Sequence, residues 1–331
     1  MLKIRRENTV LRACGLLSLI GLLLFMLNIH GDAPAETLSN MATLSNMATL
    51  NNINPAISQI IIIKRLNEIQ TDARTSIVSS PYKCISQIYY FENIHTSYTS
   101  IPKTGNSNWK EALLIAAKDI QEHSVTGQEL GRNHAYSNKY KLKRLNLTMD
   151  SETIRGAFSF TVMRNPWTRM VSGYKDKLAR NKSHDFFDPI SRQIVEEIRG
   201  MTDKTNTAHL YPTFEEFVKW LIKHDGVVDP HFMPQTRIMC SKEVSYDYIV
   251  PLEYADEYSR VMWHMIQVNT SLSRSYDGND AASQRSTVDA RKWFSELDTD
   301  IIDKLYDLFR SDFAIMNYSN FTDEYFPYPM L

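Results

Sequence analysis

Apolar positions along the chain switch between two periods. Short β-prone runs at residues 98–101 and 158–162 are each followed by a tight polar loop and then by a helical pattern. After the first run, Ala112, Leu113, Ala116, Ala117 and Ile120 recur at helical spacing within residues 109–121. After the second, Pro166 suits the first turn of a helix. A third run at 248–250 leads into a helix over 254–268. Further helices are predicted over 185–201, over 214–224 with the stripe Phe214, Phe217, Val218 and Leu221, and over 299–313. Repeated strand-loop-helix units predict an α/β fold, with a central, mostly parallel sheet flanked by helices.

The N-terminus has a different pattern. Lys3, Arg5, Arg6 and Arg12 precede an unbroken apolar run over residues 13–29. Seventeen helical residues span roughly 25 Å, enough for a thin bilayer with Arg12 snorkelling. Positive charge ahead of the run predicts a cytosolic tail at 1–12, a signal anchor at 13–29 and a lumenal remainder. The competing reading is a signal peptide cleaved at Ala33-Pro34-Ala35. Residues 30–80 read as a stem, with a short period-six repeat (Ala42-Thr43-Leu44-Ser45-Asn46-Met47) that fits neither helix nor strand. Within it, residues 57–69 after Pro55 form an apolar helical segment, open to a stem coil or to docking on the domain at 81–331.

Composition narrows the class. With 37 basic and 38 acidic residues there is no general basic surface for nucleic acid. Three cysteines, with no C-x-x-C or H-E-x-x-H, give no metal site. Cys84 and Cys240 are either two buried thiols or one disulfide in an oxidising compartment. N-x-[ST] sequons at Asn146, Asn181, Asn269, Asn317 and Asn320 fit a lumenal glycoprotein.

The two loops carry the candidate chemistry. The first is Pro102-Lys103-Thr104-Gly105-Asn106-Ser107-Asn108-Trp109-Lys110. Gly105 permits a backbone turn, Ser107 or Asn108 can cap the helix, and first-turn amides with Lys103 suit a phosphate or sulfate. The Walker A spacing is absent. The second is Arg164-Asn165-Pro166-Trp167-Thr168-Arg169, with Ser172 about two turns into the helix. An arginine and a hydroxyl suit a terminal phosphate monoester, so the two loops together suggest a ligand with two anionic ends.

These motifs, in this order, resemble those of the Golgi carbohydrate sulfotransferases of the HNK-1 and chondroitin/dermatan 4-O-sulfotransferase group. The resemblance extends to His231-Phe232-Met233-Pro234, Cys240, Tyr246-Asp247, Leu305-Tyr306 and Asp312-Phe313. It implies a P-loop-like fold that uses 3′-phosphoadenosine-5′-phosphosulfate (PAPS). In that family the first loop, here Pro102 to Trp109, binds the 5′-phosphosulfate. The second, here Arg164 and Ser172, binds the 3′-phosphate. The family usually has a cysteine in the first loop, where Asn106 and Ser107 stand here, and a cysteine pair of which only Cys240 remains.

The expected activity is therefore sulfonate transfer from PAPS, without a metal, to a glycan hydroxyl. The Golgi lumen is the expected compartment, with a type II membrane topology. The resemblance favours GalNAc 4-O, then glucuronic acid 3-O. A non-catalytic glycan-binding protein is the alternative that the altered loop keeps open. Transfer needs a base, and histidine titrates in the right range. His134 is the candidate, and His231, which the resemblance places near the acceptor, is its rival. Glu253, at the turn after the third strand, reads as a capping residue.

Overall fold

The β-prone run at residues 98–101 belongs to the second arm of a hairpin. In the computed structural model, β1 (Gln87–Phe91) and β2 (Thr96–Ser100) are an antiparallel hairpin joined by a 3-10 turn (Glu92–Ile94). His95 closes the turn in the left-handed region at φ 45°. The structure describes residues 55–71, 87–118, 142–147, 149–179, 188–201, 211–226, 228–241, 243–272 and 290–318.

In chain order the elements are α1 (Pro55–Thr71), β1, β2, α2 (Asn106–Ala116), β3 (Lys143–Leu145), α3 (Ser151–Gly156), β4 (Phe158–Met163), α4 (Pro166–Lys177), α5 (Asp188–Arg199), α6 (Phe214–Lys223), α7 (Gln235–Ile238), β5 (Tyr248–Pro251), α8 (Ala255–Met265) and α9 (Thr299–Met316). The sheet order is β3-β1-β2-β4-β5. The pairs β2–β4 and β4–β5 are parallel, whereas β1 is antiparallel to both its neighbours. The sheet is thus mixed rather than mostly parallel, because the hairpin turn at 92–95 returns the chain directly. β3, in a segment where no strand is predicted, is an edge strand.

The three parallel strands run the same way and sit side by side. Their carboxyl ends, Ser100, Met163 and Pro251, therefore deliver three loops to one edge of the sheet. Ligands of open α/β sheets bind at this edge. Aromatic packing fixes the frame behind it: Trp109, fully buried on α2, lies 5.6 Å from Phe160 of β4 and 5.8 Å from Trp263 of α8. Such pairs add about 0.5–1.5 kcal/mol beyond the area they bury.

The helix predicted at 57–69 docks on the domain. Ile62 and Leu66 of α1 are buried, and the Gln59 amide bonds both the N–H (2.8 Å) and the C=O (2.7 Å) of Ile249 on edge strand β5. A side chain thereby occupies backbone groups that another strand would otherwise pair. Among the described residues no helix is long and apolar enough to cross a membrane, and residues 13–29 lie outside them.

Candidate active site

The first loop turns on two left-handed residues. Lys103 has φ 72° and Gly105 φ 78°. Glycine takes this conformation without cost, whereas a lysine there costs roughly 1–2 kcal/mol. Gly105 is itself the N-cap of α2, with no side-chain cap, so Ser107 and Asn108 lie in the first turn rather than at the cap. The Asn108 N–H donates to the Gly105 carbonyl. The amides of Asn106 and Ser107 precede that first helical bond. Thr104 is buried and donates to the Ile101 carbonyl, and Tyr98 donates to the Asn106 side chain at 2.5 Å.

The second loop is tied to the first. Asn165 caps α4 by accepting from the Trp167 and Thr168 amides, with Pro166 in the first turn. This orientation lets Arg164 donate through Nη1 to the Lys103 carbonyl (3.1 Å) and through Nε to Thr168 (3.1 Å). Arg169 lies buried between loops, donating to the carbonyls of Pro102 (3.0 Å), Pro230 (2.8 Å) and Met233 (2.7 Å). The Gln235 side chain brackets the Arg164 backbone, accepting from its N–H and donating to its C=O. Buried Asp312 in turn holds the Gln235 and Thr236 amides at the start of α7.

Thr168, Ser172 and Asp176 follow at four-residue intervals and share one face of α4. At its far end Asp176 receives Lys103 Nζ and Lys177 Nζ, each at 3.1 Å. The Lys103 carbonyl is held by Arg164 while its ammonium reaches Asp176, so this one residue joins the second loop to the far end of α4. Burial pulls the Lys103 ammonium below the ordinary lysine value; Asp176 offsets part of this, and Arg164 and Lys177 add to it. Burial would raise the Asp176 carboxyl, but the two lysines outweigh it and hold it at about 2.

His231 stands on a neighbouring face. Its carbonyl lies 3.2 Å from where a Cβ on Gly173 would sit, so a larger residue there would push residues 231–232 back from α4 by a few tenths of an ångström. Its Nδ1 is 2.5 Å from Asp229 Oδ1, which also accepts the His231 N–H at 2.9 Å. Asp229 feels the charge of Lys177, which links this pair to the Lys103–Asp176 pair.

The structure therefore brings Lys103, Arg164, Ser172 and His231 to the loops around α4. His134 lies outside the described residues. The Trp109 ring belongs to the core, so this position contributes only backbone to the loop. Pro102 contributes the carbonyl that Arg169 holds. Glu253 is buried, with its two oxygens accepting from the Asn165 N–H and the Tyr318 hydroxyl. It braces the second loop through these two bonds. Tyr246 and Asp247 are also structural: Tyr246 donates to Thr99, and Asp247 pairs with the Ser159 backbone. Cys240 is disulfide-bonded, and the other cysteines, Cys14 and Cys84, lie outside the described residues. Sequence reasoning missed Asp176, Asp229 and Gln235. Of these, only Asp176 had a legible signal, its four-residue spacing from Ser172.

A model of the sulfotransferase family matches residues 86–319. The chain belongs to that family. The sulfotransferase match begins just before β1 and ends just past Tyr318, spanning all five strands and leaving α1 outside. Among curated relatives, the chain is similar to human carbohydrate sulfotransferase 8, at 25% identity over 261 residues, covering 73% of this chain and 58% of the relative. It is similar to human carbohydrate sulfotransferase 9, at 22% over 251 residues, covering 72% and 54%. It is also similar to rat carbohydrate sulfotransferase 11, at 22% over 234 residues, covering 67% and 64%. The chain spans less than two thirds of the length of these relatives. No solved structure matches it.

Proposed function

We propose that this sulfotransferase-family chain moves a sulfonate group from PAPS to a glycan hydroxyl. The observation that carries the proposal is the coupling of two cationic loops: Lys103, held in a left-handed conformation, has its own carbonyl gripped by Arg164. Such conformations persist only where their surroundings over-determine them, and they cluster at functional sites. The donor has an anionic group at each end, which fits two fixed cations at one sheet edge.

In this reading the Asn106 and Ser107 amides hold the 5′-phosphate. Lys103 leaves Asp176 to neutralise the bridging oxygen as the sulfur–oxygen bond breaks. Arg164 and Ser172 grip the 3′-phosphate. As in phosphoryl transfer, the protein contributes mainly position and charge. The family resemblance and the relatives' names favour a glycan acceptor, with GalNAc 4-O first and glucuronic acid 3-O second. The alternative, a glycan-binding protein without activity, rested on the unusual Asn106-Ser107. Asn106 accepts from Tyr98 and Ser107 lies in the first turn of α2, so the loop is built around these residues.

Radiolabelled PAPS supplied with a panel of desulfated glycosaminoglycans and N-glycans tests the proposal. Label in one acceptor class supports it and names the sugar. Donor binding without transfer to any acceptor favours the binding protein, and no donor binding overturns both readings of the site. The proposed setting is the Golgi lumen, with residues 13–29 as an uncleaved type II anchor.

A further inference from the structure

We propose that Lys110 and Arg144 form a binding site for the carboxylate of a uronic acid in the acceptor chain, beside the first loop on the side away from Arg164. This rests on the sulfonate-transfer reading above and narrows its acceptor to an acidic glycan.

Strand register builds the site. Phe160 of β4, Tyr98 of β2, Tyr89 of β1 and Arg144 of β3 are successive cross-strand partners, so they form one row on one face of the sheet. Helix α2 lies over this row. Trp109 meets Phe160, and Lys110 Nζ sits 4.4 Å from the centre of the Tyr89 ring and 3.3 Å from its hydroxyl. The Tyr89 hydroxyl donates to Gln87 Oε1 at 2.7 Å, so it accepts from Lys110. The row ends in Arg144, exposed on the edge strand.

Two cations thus meet at one tyrosine with no acid between them. Among the described residues, no carboxylate pairs with Lys110 or Arg144, and the polar contact of the half-buried Lys110 ammonium is the neutral Tyr89 hydroxyl. The buried cations of the two loops are provided for differently: Lys103 has Asp176, and Arg169 has three carbonyls. Burial first, and the Arg144 charge second, pull the Lys110 ammonium down to about 8. An anion between the two cations relieves both effects. An arginine fork with an ammonium beside it suits the two oxygens of a carboxylate.

The position relative to the donor follows from α2 and the sheet order. Asn106 and Lys110 are four residues apart and share one face of the helix. Tyr98, beside Tyr89 in the row, bonds the Asn106 side chain. The Lys110 backbone is therefore one helical turn, about 5.4 Å, from the amide proposed to hold the 5′-phosphate. Across the sheet, the second loop follows β4, the first follows β2, and the Lys110–Arg144 pair lies over β1 and β3. A donor stretched from Arg164 to the first loop turns its sulfonate end toward that pair. A glycan reaching the sulfonate from this side crosses the two cations. Before sulfation, such a chain carries its negative charge as uronic acid carboxylates, which commits the site to that group.

Transfer kinetics of the full chain on desulfated chondroitin and on its carboxyl-reduced form test this. Lys110→Met keeps an apolar stem over Tyr89, and Arg144→Gln keeps a polar edge. In each variant the ratio of kcat/KM between the acidic and the reduced chain should fall about tenfold or more, with the change in the acceptor KM. Lys143 is the control: it belongs to the same strand but lies over the Tyr90 ring, on the opposite face. Lys143→Gln removes the same charge and should leave the ratio unchanged. An unchanged ratio in Lys110→Met and Arg144→Gln, or an equal fall in Lys143→Gln, would overturn the proposal. Calorimetry with desulfated chondroitin and no PAPS keeps the two readings apart. Binding that weakens in Lys110→Met and Arg144→Gln, in a chain that transfers no sulfonate, would fail the sulfotransferase reading and leave the site standing. Absence of binding in the unmodified chain, with or without transfer, would overturn the site.

Discussion

Lys103 Nζ lies 3.1 Å from Asp176 Oδ2, so the lysine proposed to meet the donor rests against a carboxylate at the far end of the helix that carries Ser172. Lys177 bonds the same oxygen, giving Asp176 two cations to hold.

Removing that carboxylate has a definite sign. In Asp176→Asn, Lys103 keeps its burial and the repulsion of Arg164 and Lys177 but loses the group that raises its pKa. Its ammonium then loses its proton at lower pH. The alkaline limb of the pH profile for kcat/KM is expected to move toward lower pH, and an unmoved limb would separate Lys103 protonation from the reaction. At the acid end, the contribution of Asp176 to stability is present above its ordinary value of 3.8 and is lost as pH falls toward about 2.

The donor predictions separate the two cations. Lys103→Ala should abolish transfer while thermal unfolding stays near that of the parent, because alanine keeps the Cβ and leaves the backbone strain as it was, and Lys177 still holds Asp176. Arg164→Ala should weaken donor binding by about 2–5 kcal/mol, read by calorimetry. Unchanged affinity in the arginine variant would remove the second anion site.

Arg169 is expected to matter for folding. It is fully buried, its pKa is lowered by burial to about 10, and it satisfies three carbonyls. Arg169→Ala should cost about 3–5 kcal/mol in chemical denaturation, since it strands buried polar groups and leaves Asp312 without its cation. Arg169→Lys should recover little, because one ammonium cannot reproduce the planar fork.

Glu253 offers a second test of how the second loop is held. Glu253→Ala orphans the Asn165 N–H and the Tyr318 hydroxyl, at about 1–3 kcal/mol each. Burial raises this carboxyl above its ordinary value, so its ionised form is unfavourable and costs stability as pH rises. Glu253→Gln should therefore lose less than Glu253→Ala at neutral pH, by denaturant midpoint.

Topology has its own readout. An uncleaved anchor at residues 13–29 should leave the protein in the membrane after carbonate wash, with a mass lowered by glycosidase. A soluble chain beginning near Glu36 would favour the signal peptide.

The helices that follow the strands were legible because their apolar stripes repeat over three turns. The predicted Phe214 stripe becomes α6, with Phe214, Phe217, Val218 and Leu221 all buried. The hairpin at residues 87–100 was not legible, because its turn, Glu92-Asn93-Ile94-His95, contains no glycine or proline, and a histidine takes the left-handed position. In the site, Lys103 and Arg164 could be read from the motifs. Their partners could not, since Asp176 is 73 residues from Lys103 and Gln235 is 71 from Arg164. Such contacts come from the sheet order, which no local pattern encodes.

The docking of α1 through Gln59 also sets a length. Were residues 30–80 all tether, the domain could range over a wide radius from an anchor at 13–29. With the chain fixed again at Pro55, only residues 30–54 remain between them, about 25 residues and at most roughly 80–90 Å fully extended. If residues 13–29 are the anchor, as proposed, the domain would stay within that distance of the membrane, within reach of glycans carried on neighbouring membrane-bound proteins.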